Sequence, residues 1–146
     1  MNGARAVQRA ILESFPNAEI SVSLVWIEML PKDSREAAEK IAGTIRDPRV
    51  RHFHDPRATR LAGNAFAKRL LREGAGPAWD VYVFYDKEVE WKDGPPEPAD
   101  WMHQLGGAEP ADPQRLHTGE QSVVHLRESM QRLTGLEGQP VQSRDR

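Results

Sequence analysis

From Ala4 the apolar residues Ala4, Val7, Ile11 and Phe15 recur at helical spacing until Pro16-Asn17 interrupts them, so the pattern predicts an amphipathic helix at the start of the chain. The period then changes. Ile20, Val22 and Leu24 alternate with Ser21 and Ser23 before "LVWI" turns wholly apolar, as in a strand that runs from an edge into an interior, and Pro31 closes it. Asp33, with Glu36 three residues on, makes a capping-box-like start for "REAAEKIAGTI", a run of good helix formers. Residues 50–54, "VRHFH", read as a short strand, and Asp55-Pro56 then supplies an N-cap with proline at the first helical position. The helix behind it is expected to reach about Arg72 and to bury Leu61, Ala62, Ala65, Phe66 and Leu70.

Gly74 to Pro77 breaks that helix, and "GPAWDVYVFYD" follows, with Val81 to Tyr85 apolar throughout and so expected to be covered on both faces. "VEW", reached through Lys87-Glu88, reads as the second strand of a hairpin. Residues 93–120 are rich in Gly and Pro and predict a long irregular loop, although "ADWMHQL" within it is too apolar for a bare linker. A last helix over 121–134, starting near the Thr118 to Gln121 pair, carries Val123, Leu126, Met130 and Leu133 on one stripe. Residues 136–146 read as a disordered tail. The order is α-β-α-β-α-β-β-α, an α/β chain with no internal repeat and a single domain expected over residues 1–135.

Composition narrows the function classes. A chain of 146 residues has room for one core. With 20 basic against 22 acidic side chains and a net charge of -2, it shows none of the excess of basic charge that a nucleic-acid partner would need. No apolar run approaches the roughly 20 residues of a membrane span, and "MNGARAVQRAIL" lacks a signal peptide's apolar stretch, so a soluble, cytoplasmic protein is expected. Cysteine is absent, which removes disulfides, thiol catalysis and Cys-ligated zinc from this chain. There is no Gly-rich phosphate loop, no G-x-S-x-G and no Ser/His/Asp arrangement, and no cofactor is expected.

The element order, with Gly76-Pro77 directly ahead of the strand at Val81, resembles the thioredoxin-like superfamily, and within it the peroxiredoxin and cytochrome-biogenesis type. "GARAVQRAILESF" stands for that family's active-site helix, "ISVSLVWIEML" for the next strand, and "HFHDPRATRLAGNAFAKRL" for the Asp-Pro and helix that lead to its proline, so residues 3–92 are covered. The resemblance implies a mixed sheet flanked by helices, and a cis proline, here Pro77, facing a redox site. It also implies a strand and a Cys motif ahead of the first helix, where a helix N-terminus stabilises a thiolate. This chain has neither. Either that strand is missing from the front of the sheet, leaving an open edge through which a homodimer could form, or "SVSLVWIEML" is itself the first strand and "EMLPKDS" occupies the place of the redox loop. Both alignments leave no thiol chemistry.

Trp26 and Trp79 flank the crevice that the resemblance implies beside Pro77, and Trp101, with His103, lies in a loop that could close over it. Asp80, at the start of the later strand, and Glu28, inside "VWIEML", are candidates for a paired or raised-pKa carboxylate, and Met29 opens the stretch to Ser34 that in the second alignment stands where the redox motif would. These eight residues, Trp26, Glu28, Met29, Pro77, Trp79, Asp80, Trp101 and His103, form the candidate site, fit for a protein segment or a small apolar ligand. The competing reading of the tryptophans is core packing, and of the acids backbone hydrogen bonding. His52 and His54 share one face of their strand but lack a third ligand at diagnostic spacing. The functional expectation is a binding or interaction module of thioredoxin-like fold without redox activity. The alternatives are a thiol-disulfide oxidoreductase or peroxiredoxin-like enzyme missing its N-terminal part and, more weakly, a His/Asp metal protein.

Overall fold

The computed structural model describes residues 3–105 and 111–140. The first helix, α1 (Gly3–Val7), continues without a break into a π-helical stretch, Gln8–Glu13, where Ser14 Oγ donates to the carbonyl of Arg9. The wider turn brings Ala6, Ala10 and Ser14 into the interior together with Val7, Ile11 and Phe15. The C-terminal helix α4 (Glu120–Thr134) packs on these residues with the buried stripe Ser122, Val123, Leu126, Ser129 and Met130. It starts after Gly119 at φ +58 and ends at Gly135 at φ +67, conformations that glycine adopts without a Cβ clash. The expected Thr118/Gln121 cap is not made. Residues 3–20 and 117–140 thus belong to one compact unit. Residues 136–140 of the expected tail are laid down on it, with Gln139 N donating to the Ser14 carbonyl and Gly138 against the Phe15 ring; residues 141–146 lie outside the described residues.

Ser21–Leu116 forms the second unit. Its first strand, β1 (Val22–Ile27), pairs in parallel with β2 (Val50–Asp55), Val22 opposite Val50 and Ile27 opposite Asp55. The crossover carries helix α2 (Arg35–Ala42), capped by Ser34, whose hydroxyl accepts from Ala37 N. Asp33, expected as the cap, instead accepts from the backbone N–H groups of Met29 and Leu30 and closes the loop after β1. Ahead of β2, Asp47 and Arg49 clasp through paired bonds at 2.8 and 2.9 Å, which lower the Asp47 carboxyl and raise the Arg49 guanidinium. Helix α3 (Leu61–Leu70) starts five residues later than the Asp55-Pro56 pattern implies, because residues 57–59 form a turn and Arg60 takes the left-handed conformation at φ +43. Asp55 still caps it from a distance, its buried carboxylate accepting from Gly63 N at 2.9 Å. The late start leaves Leu61 72% exposed rather than buried.

The lead-in "GPAW" is held on α3, with Ala78 N donating to the Gly63 carbonyl. No cis peptide bond occurs among the described residues, so Pro77 is trans. Strand β3 (Val81–Phe84) pairs antiparallel with β4 (Asp100–His103), which lies inside the stretch expected to be irregular. "VEW" is not its partner. Lys87-Glu88 offers no residue suited to the positive φ of a two-residue hairpin, and Val89 N instead closes a turn on the Asp86 carbonyl. Trp91 then packs edge-on against Tyr85 and Phe66. The result is a mixed α/β chain with one parallel and one antiparallel pair of strands. The single mixed sheet implied by the resemblance is not formed among the described residues: the anchor of Ala78 on α3 leads β3 to β4 as its only hydrogen-bonded neighbour. Instead of contacts on both faces, β3 is half-buried up to Val83 and buried at Phe84.

Candidate functional site

In a parallel pair the side chains alternate across the sheet, so Trp26 and Leu24 share a face with His52 and His54, while Ile27 shares the other with Asp55 and Phe53. On the first face Trp26 Nε1 donates to His52 Nδ1 at 3.3 Å, and the two rings stack with centroids 6.1 Å apart. One residue beyond β1, Glu28 reaches His54, its Oε1 lying 2.9 Å from His54 Nε2. Its other oxygen accepts from Arg57 N at 3.2 Å. That backbone bond holds the Glu28 carboxyl below its usual range, with His54 adding to the effect and partial burial opposing it.

Two arginines complete the knot. The Arg57 guanidinium donates to the Leu30 carbonyl and Arg60 Nε donates to the Glu28 carbonyl at 3.2 Å, so the turn after β2 is stitched to the loop after β1. This junction lies at the carboxyl ends of two parallel strands, the edge at which open α/β sheets build their sites. Its carboxylates are all engaged: Glu28 as described, Asp33 by Met29 and Leu30, Asp55 by Gly63. Around it Leu30 is 56% exposed, and Leu61, which follows Arg60, is exposed as well.

The expected site residues are distributed over three places. Trp26, Glu28 and Met29 meet at the junction, Met29 through its backbone N–H. Pro77 packs on the opposite face of β1 from Trp26, its Cβ only 3.0 Å from where a Cβ on Gly63 would stand, with the Ile27 side chain also against that point. Trp26 and Pro77 therefore do not line a common crevice. Trp79 is partly exposed on the lead-in, and Asp80 follows at φ +50, its carbonyl accepting from Gln104 N. The surrounding protein desolvates the Asp80 carboxyl and raises it, although the residue as a whole remains exposed. Burial raises the Tyr82 phenol, and the neighbouring Asp80 charge adds to this.

Trp101 and His103 lie in β4, not in a lid. Trp101 is buried, and the Arg115 guanidinium sits 5.0 Å from its ring centroid while Nη1 bonds Asp100 at 3.0 Å and the Trp101 carbonyl at 2.7 Å. His103 accepts from Leu105 N at Nδ1, which places its proton on Nε2, 2.9 Å from the Asp112 carbonyl. Both ring nitrogens of His103 are thus engaged and its side chain is buried. His52 and His54 have separate partners, and among the described residues no group of three or more His, Asp and Glu is placed to hold a metal ion. No described helix is long and apolar enough to cross a membrane.

Arg57 and Arg60 are the junction residues that the sequence pattern does not single out; it marks His54 only as half of a metal pair, and Leu61 only as a core residue. The link of His54, Arg57 and Arg60 to Glu28 is set by the parallel register, 26 to 32 residues away along the chain, which no local spacing reveals. No family model matches this chain, and no curated protein or solved structure matches it either.

Proposed function

We propose that this chain is a binding module without thiol chemistry, whose ligand docks at the junction formed by residues 28–33 and 57–61. The observation that carries this reading is the engagement of every carboxylate in the knot by backbone N–H groups or His54, next to Leu30 and Leu61 left in solvent. A rigid polar frame with apolar side chains standing out of it is suited to holding a partner, not to moving protons. The finer description as thioredoxin-like rests on the order of a parallel β-α-β unit, a helix, a proline-led strand in an antiparallel pair and a final helix. Trans Pro77 and the separation of the two strand pairs are its departures from that pattern.

Two measurements test the proposal. Insulin-disulfide and peroxide turnover by the purified chain should stay at the level of buffer. Mixtures of small aliphatic and aromatic fragments, followed by amide shifts of the 15N-labelled chain, should move residues 28–33 and 57–61. Fragments that instead gather at the groove between α3 and residues 92–96, lined by Ala65, Lys68 and Arg69, would overturn it.

A further inference from the structure

The charge around the junction identifies what the leucines face. Three basic side chains, Lys32, Arg57 and Arg60, belong to the same two segments as Leu30 and Leu61, and Lys32 and Arg57 are exposed. Of the acids there, Glu28 is paired with His54 and the Arg57 backbone, Asp33 with the N–H groups of Met29 and Leu30, and Asp55 is buried on Gly63. Each guanidinium has five N–H donors, and the bond from Arg57 to Leu30 and that from Arg60 to Glu28 use one each of these. Planar donors beside an exposed leucine match a carboxylate followed by an apolar side chain.

Resting on the docking site proposed above, we infer that its partner is a peptide segment that is both acidic and apolar, its leucine-like side chains meeting Leu30 and Leu61 and its carboxylates meeting Lys32, Arg57 and Arg60. Two parts of the surface attract for different reasons. The apolar contact is insensitive to salt, while the charged rim steers and selects, and is screened as ionic strength rises.

The test uses the full chain, labelled with 15N, and three synthetic peptides of one leucine pattern whose intervening residues are all Glu, all Lys or all Ser. The Glu peptide should shift the amides of residues 28–33 and 57–61, and its affinity should fall with added salt. Lys32→Glu and Leu61→Ser, both at exposed positions outside the hydrogen-bonded knot, should keep the spectrum of the folded chain. Lys32→Glu reverses one rim charge, a change of two units, and should weaken the Glu peptide about tenfold. Leu61→Ser should weaken it about tenfold, the size of one partly buried leucine. If the Lys or Ser peptide binds the same amides as tightly, the acidic preference is wrong and the docking site stands. If the same amides shift on concentrating the chain alone, a second copy is the occupant and the inference is wrong. If all three peptides leave these amides unmoved, or bind elsewhere, the inference and the docking site both fall.

Discussion

Glu28 shows how one side chain can join elements distant in sequence: its oxygens meet His54 and the Arg57 backbone, and its own carbonyl receives Arg60. Its carboxyl is held low chiefly by the Arg57 N–H, and Asp47 is held low by the Arg49 side chain. For both, the folded pKa lies below the unfolded one. Their contribution to stability is therefore present above the ordinary carboxylate range and is lost as pH falls through the depressed values. Glu28→Gln keeps the shape but removes the charge, so its urea midpoint should lie below that of the parent at neutral pH and converge with it as the solution is acidified. A constant gap across the pH range would show that shape, not charge, is what Glu28 contributes. Tyr82 presents the opposite case. No described residue bonds its buried hydroxyl, and an unpaired buried hydroxyl costs about 1–3 kcal/mol. Tyr82→Phe should leave stability unchanged or raise it by about 1 kcal/mol in urea unfolding; a loss of that size would reveal a partner for the phenol.

At the scale of elements, α3 is defined by what meets its first turn. Asp55 accepts from Gly63 N, Ala78 N donates to the Gly63 carbonyl, and Pro77 closes over the missing side chain. Helix propensity alone favours Gly63→Ala by about 1 kcal/mol. The added methyl would stand 3.0 Å from Pro77 Cβ, 3.4 Å from the Ala78 carbonyl and 3.5 Å from Ile27 Cδ1, and the nearest of these is fixed to a ring. Overpacking of this kind costs about 1–3 kcal/mol, so Gly63→Ala should be neutral or destabilising in spite of propensity. Asp55→Ala should cost about 1–3 kcal/mol, since it leaves a buried N–H unpaired, while Asp55→Asn should recover part of that by keeping an acceptor. The same contacts explain which elements were legible in the sequence. The helical stripes of α1 and α4, the strand at Val22, and the presence of β2 and α3 follow from local periodicity. The start of α3 does not, because its cap arrives from a buried strand end and Arg60 turns left-handed. Four residues of "DWMH" are too few to outweigh the surrounding Gly and Pro until β3 pairs with them, and Trp91 alternates with Val89 as a strand would while belonging to an aromatic contact with Phe66. Of the junction, the residues that end β1 were legible and their partners after β2 were not.

On the scale of the whole chain, the first and last helices belong to one compact unit, so the two ends of the sequence must meet before either helix has a complete core. Neither is secured by local hydrogen bonding alone: α1 with its π-helical continuation is short, and helices of such length are marginal without tertiary packing. Small residues set the closeness of that packing, Ala6, Ala10 and Ser14 on one side and Ser122 and Ser129 on the other, all buried, with Leu126 fully enclosed among them on α4. A cavity at Leu126 would therefore be felt from both ends of the chain. Leu126→Ala should cost about 2–5 kcal/mol, the range for deleting a buried leucine into a site that collapses only in part. The informative readout is amide exchange resolved by residue. Protection should fall in residues 3–13 together with 120–134, because α4 packs on both the α-helical and the π-helical part of the N-terminal helix. Faster exchange confined to α4, with residues 3–13 as protected as in the parent, would mean that the N-terminal helix is stabilised by something other than the face that Leu126 supports.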